Sequence, residues 1–120
     1  MWRVKQMWIT AAVILVQFVI FALAPFGPVH AEEMATFVLE MNDGVLTPER
    51  IEIPANTQVK IILRNTGSTP AEFESLRLRK EKVLGPGVKS FIVIRKASPG
   101  EYPFFDEFHL ETGQGVIVAR

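Results

Sequence analysis

Residues 101–118 read EYPFFDEFHLETGQGVIV. Two runs of strand-forming residues, Tyr102 to Phe105 and Val116 to Val118, enclose a loop that holds Asp106, Glu107, His109 and Glu111. Working back up the chain, the same kind of run recurs with turn residues between. Phe91 to Ile94 is β-branched and aromatic and is closed by Ser98-Pro99-Gly100; Val59 to Leu63 ends at Asn65-Thr66-Gly67. Arg50 to Ile53 alternates polar with apolar and is closed by Pro54 and Asn56; Ala35 to Met41 precedes the Asn42-Asp43-Gly44 turn. Short runs of about 4 to 8 residues at regular spacing indicate an all-β sandwich or barrel. The core expected from this pattern contains Phe73, Tyr102, Phe104 and at least two of Ile61, Ile62, Ile92 and Ile94.

The first residues are of another kind. Arg3 and Lys5 precede an apolar run from Met7 to about Leu23, broken by Pro25, Gly27 and Pro28, and Val29-His30-Ala31 fits a signal-peptidase site. Residues 1–31 are therefore expected to be a secretory signal peptide and residues 32–120 one exported domain, periplasmic or otherwise extracytoplasmic. An uncleaved anchor is the alternative, because the run approaches the roughly 20 residues that span a bilayer; membrane contact is expected only through that N-terminus. Removing Arg3 and Lys5 from the 13 bases leaves eleven against 13 acids, a net charge of −2, which carries no nucleic-acid footprint. No cysteine is present, so disulfides and thiolate metal sites are excluded.

Familiar catalytic patterns are missing: there is no HExxH, no phosphate-binding glycine loop and no GxSxG, and a hydrolase is not expected. Glu72 and Glu74 flank Phe73, so on a strand both carboxylates face away from the ring. Asp106 and His109 are separated by two residues in the late loop. Carboxylates and an imidazole converging from separate loops suit a first-row metal ion. Against this stands the plainer reading of surface acids and a histidine that donates a loop hydrogen bond. In LRLRKEKV, residues 76–83, Leu76 and Leu78 share a face with Arg77 and Arg79 opposite if the segment is a strand. That segment reads either as a solvated strand face or as a docking patch for an acidic partner.

NTGSTPAEFES and YPFFDEFHLETGQGVIV together resemble the cupredoxins, small Greek-key copper proteins. The resemblance implies a Greek-key β-sandwich. The family's first ligand, a histidine, has its place at Glu72, after Asn65, Gly67 and Pro70; its cysteine, second histidine and methionine have theirs at Asp106, His109 and Gln114. More narrowly, DGVLTPERIEIPAN, PAEFESLRLRKEKVLGPG and PGEYPFFDEFHLETGQGVIV resemble the iron-transport-associated, EfeO-type cupredoxin-like proteins. These are exported and accompany high-affinity iron permeases.

The resemblance implies an iron or copper ion as cofactor, a high-affinity iron permease or other iron-uptake component as partner, and an accessory role in ferrous iron oxidation as the activity to test. The expected ligands are Glu72, Asp106 and His109, with Glu74, Glu107, Glu111 and Gln114 as weaker candidates. Without a cysteine the blue-copper chemistry is lost, and oxygen ligands favour a harder ion such as Fe³⁺. The competing reading is a metal-free β-sandwich interaction module of the same transport system.

Overall fold

The structure, a computed structural model, describes residues 33–120 and, ahead of them, Gly27. The expected signal segment and its cut after Ala31 lie outside the described residues. Alternation of apolar and polar residues yields nine strands: β1 (Ala35–Asn42), β2 (Val45–Thr47), β3 (Arg50–Ile53), β4 (Val59–Asn65), β5 (Ala71–Ser75), β6 (Lys80–Leu84), β7 (Lys89–Ile94), β8 (Gly100–Asp106) and β9 (Gln114–Ala119). One 3-10 turn, Glu107–His109, follows β8. No α-helix occurs among the described residues, in line with the all-β expectation.

The strands form two sheets, β2-β1-β4-β7 and β3-β9-β8-β5-β6. Parallel pairings of β1 with β4 and of β3 with β9 sit among antiparallel ones, so the chain crosses repeatedly between the sheets. This is the expected sandwich. At Asp43-Gly44 both residues have positive φ, 45° and 89°, and Asn42 pairs with Val45, a two-residue hairpin turn whose twist matches the strands it joins.

The inner faces meet in one core. Leu39, Met41, Ile61 and Leu63 come from the first sheet and Ile51, Ile53, Phe73, Phe104 and Ile117 from the second, all nearly or fully buried. Phe73 stacks on Phe104 with ring centroids 5.2 Å apart. The expected core residues Phe73, Tyr102, Phe104, Ile61, Ile92 and Ile94 are buried, whereas Ile62 is only partly so. Of the phenylalanines around the late loop, Phe104 alone anchors it to the core; Phe105 is half-buried and Phe108 is exposed.

One part of the expected pattern is corrected. LRLRKEKV is not one strand: Leu76 to Arg79 form the turn of a β5–β6 hairpin, and β6 begins only at Lys80. Arg79 takes a φ of 55°, which closes the turn without a glycine. Leu76 and Leu78 therefore share no strand face; Leu76 is exposed and Leu78 packs against the core.

Candidate metal centre

The β5–β6 hairpin sets the geometry of the acids. Directly opposed residues of an antiparallel pair lie on the same face of the sheet. Glu74 pairs with Glu81 across the hairpin and with Phe105 of β8, while Phe73 pairs with Asp106. With Phe73 in the core, Glu72, Glu74 and Glu81 occupy the outer face. The 3-10 turn packs on β5 and adds Glu107. One carboxylate oxygen from each of Glu72, Glu74, Glu81 and Glu107 lies within 4.8 Å of every other.

Glu72 is the deepest of the four, 4% exposed, and its Oε1 is buried with no hydrogen-bond partner. Among the described residues no lysine, arginine or histidine forms an ion pair with any member of the cluster. Ionised, Glu72 would face only other acceptors. Its pKa is accordingly raised from 4.5 to about 8, first because the protonated acid can donate to Glu81, then by burial, and then by the hydrogen bond to and repulsion from Glu107. Glu74 is also raised, by its partial desolvation and by the charges of Glu107 and Glu81. A buried carboxyl among carboxylates calls for a positive charge, either a proton or a cation.

Asp106 and His109 meet in a different network. The pairing with Phe73 turns Asp106 inward, where it is 0% exposed. Its Oδ1 accepts from the Glu72 and Phe108 backbone N–H groups, both at 3.0 Å, and its Oδ2 lies 2.9 Å from His109 Nδ1. His109 Nε2 lies 3.2 Å from Thr69 Oγ1, which donates to Asp43 Oδ1 at 2.6 Å. Asp43 further accepts from the Thr69 and Ser68 backbone and the Ser68 hydroxyl, and these donors, the Thr69 hydroxyl foremost, hold its carboxyl below the usual range. Asn65 fixes the loop that carries Thr69 by donating to the carbonyls of Thr69, Leu84 and Gly85. Gly113 lets the late loop close, since a Cβ there would stand 2.7 Å from Asp106 Cβ and 2.8 Å from the His109 carbonyl.

The seven residues picked from the sequence, five acids, a histidine and an amide, thus divide. Glu72, Glu74 and Glu107 converge. Asp106 and His109 converge with each other; both carboxylate oxygens and both ring nitrogens are engaged, and an ion at a ring nitrogen would have to displace one of these bonds. Glu111 is exposed and its side chain makes no hydrogen bond among the described residues, and Gln114 donates to the Leu110 carbonyl at 2.7 Å. Glu81 was not among the candidates. Its signal was the hairpin: once Leu76 to Arg79 is read as a four-residue turn, Ser75 pairs with Lys80 and Glu74 with Glu81.

Residues 11–119 match the family model of the cupredoxin-like domain. The chain belongs to that family. An uncharacterized protein of Rickettsia prowazekii (strain Madrid E) is 33% identical to it over 82 residues, 68% of this chain; the chain spans 66% of that relative's length, just under two thirds. Among solved structures, this cupredoxin-like chain is similar to reduced auracyanin from Roseiflexus castenholzii, with a TM-score of 0.62 and 14% identity over 74% of this chain and 99% of that one. It is also similar to the metal-binding domain of the Cu(I)-exporting P-type ATPase of Streptococcus pneumoniae D39, with a TM-score of 0.65 and 11% identity over 76% and 91% of the two chains. A purple cupredoxin from Nitrosopumilus maritimus matches at 0.53, with 18% identity over 70% of this chain and 99% of that one. At these identities the likeness is one of fold.

Proposed function

We propose that this cupredoxin-like protein is an exported metal-binding protein that takes an iron ion at Glu72, Glu74, Glu81 and Glu107 and serves iron uptake beside a high-affinity iron permease. The observation that carries the reading is the partnerless buried Oε1 of Glu72, on a carboxyl group that stands within 4.8 Å of three further carboxylates. Oxygen-only donors suit hard ions, and an anionic set favours Fe³⁺ over Fe²⁺. The iron-uptake setting and the permease rest on the EfeO-type resemblance, and export rests on the N-terminal sequence.

The copper centre of blue-copper proteins does not fit these residues. It needs a thiolate and two imidazoles, whereas the corresponding places hold Asp106, with both oxygens bonded, Glu72 and one tied histidine. Copper is the alternative ion, because the structurally similar domain from Streptococcus pneumoniae binds Cu(I). Carboxylates bind Cu²⁺ too, so the choice of ion is an experimental one.

Within the cluster, Glu72 holds a proton when no cation is bound and gives it up on binding, because a ligand carboxyl must be deprotonated. Glu81 and Glu107, both exposed, form the open side from which an ion enters and leaves. Loading the full-length protein separately with Fe²⁺ in air, Cu²⁺ and Mn²⁺, then desalting and measuring metal per chain, tests the reading. About one iron ion per chain is expected, in line with a single four-carboxylate site. Retention of none of the three ions would leave the metal-free interaction module in its place.

A further inference from the structure

The turn of the β5–β6 hairpin and the β7–β8 loop enclose a hollow of about 470 Å³ whose charged lining is Arg77, Lys80, Arg95 and Lys96. Among the described residues none of these four forms an ion pair, nor do Lys60, Arg79, Lys82 and Lys89; the four are set apart by lining one hollow. Four cations that line one hollow without counter-charges repel one another. Lysines on an exposed sheet edge ordinarily discourage strand pairing, and β6 is such an edge. That account covers Lys80 but not Arg77, Arg95 or Lys96, which lie on loops.

Arg77 is held in place. Its guanidinium carbon sits 4.5 Å from the centroid of the buried Tyr102 ring, and its Nη1 donates to the Glu101 carbonyl. A stacked guanidinium loses little freedom when it meets a carboxylate, so it is ready for an anionic partner. Arg77 also borders a second hollow of about 200 Å³, formed with Leu76, Pro103 and Phe105. Leu76 is 71% exposed, the largest value among the exposed apolar side chains of the domain. A cationic hollow beside an apolar one, sharing a fixed arginine, is the composition of a protein interface, where arginine and aromatic residues are enriched.

We propose that this end of the sandwich is a docking surface for an acidic segment of a protein partner. An apolar side chain of the partner fills the hollow beside Leu76 and Phe105, and its carboxylates meet Arg77, Lys80, Arg95 and Lys96. The surface does not depend on a bound ion. Its turn belongs to the hairpin that carries Glu72, Glu74 and Glu81, but Lys80 pairs with the inward-facing Ser75 and so leaves the sheet on the other face from Glu74 and Glu81.

The test uses the full-length protein and a synthetic peptide of glutamates carrying one central phenylalanine, followed by fluorescence anisotropy and amide NMR shifts. Shifts should concentrate at residues 76–80 and 95–98. Reversing two charges in the hollow, Arg95→Glu with Lys96→Glu, should weaken binding by about tenfold or more, while the charge-matched pair Arg64→Glu with Lys89→Glu should change it by less than about twofold. Leu76→Ser should weaken it by roughly threefold or more through the lost apolar contact. Equal losses in the two charge-reversed proteins, shifts spread elsewhere, or no binding would overturn the proposal. So would anionic phospholipid vesicles that bind through Arg95 and Lys96 where the peptide does not.

Discussion

Raising the pH of the metal-free protein through the window from 4.5 to about 8 should lower its stability, and Glu72→Gln should remove most of that loss. The folded-state pKa of Glu72 is raised above its ordinary value, so the folded protein binds the proton more tightly than the unfolded chain does. The stability this supplies is complete below the ordinary value and disappears as pH rises through the folded one. Glu74 acts in the same direction. Asp43 acts in the opposite one: its carboxyl is lowered, and its contribution disappears only below 3.8, outside this window. Glutamine resembles the protonated acid in shape and keeps a donor for Glu81. Above the window, Glu72→Gln should therefore exceed the parent protein by on the order of a few kcal/mol, each pKa unit corresponding to about 1.4 kcal/mol. Thermal melts in chelator across the window check this. Parent stability that climbs with pH there would contradict the electrostatics assigned to the cluster.

The second large effect is Phe73→Ala. Phe73 is fully buried, stacks on Phe104, and stands between Glu72 and Glu74 on the strand that builds the cluster. Truncation removes most of a buried ring and leaves a cavity, at a cost of about 3 to 5 kcal/mol, a large share of the roughly 5 to 15 kcal/mol that holds a small domain folded. A urea titration should show the midpoint falling accordingly. An unmoved midpoint would mean that Phe73 does not face the core, and Glu72 and Glu74 would lose their assigned face with it.

The strands most legible in the sequence are those with dense β-branched or alternating residues. Arg50 to Ile53 matches β3 residue for residue, and Val59 to Leu63 and Phe91 to Ile94 fall short of β4 and β7 by only two residues at one end. The three-residue β2 carries too little pattern to stand out. The hairpin turn escaped for a different reason. It contains neither glycine nor proline, and its alternating leucines and arginines imitate a strand, while the backbone supplies the positive φ at Arg79. Missing that turn concealed the pairing of Glu74 with Glu81, and Glu81 with it.

The late loop shows what spacing does and does not convey. The two-residue gap between Asp106 and His109 does bring the two side chains together, at 2.9 Å. How a carboxylate is engaged depends on the backbone N–H groups beside it, here those of Glu72 and Phe108. Such donors are set by sheet register, which residue order alone does not display. Glu107, by contrast, follows Asp106 on the outer side and is left to join the glutamates.

In the proposed site Glu72 and its neighbours, not the imidazole, hold the ion. Calorimetric titration of Mn²⁺, a hard probe of an oxygen site, into the parent protein, Glu72→Gln and His109→Ala tests it most directly. One strong site is expected in the parent protein, with a loss of affinity of about tenfold to a hundredfold in Glu72→Gln and a change of less than about threefold in His109→Ala. Undiminished binding by Glu72→Gln together with its loss in His109→Ala would contradict the account.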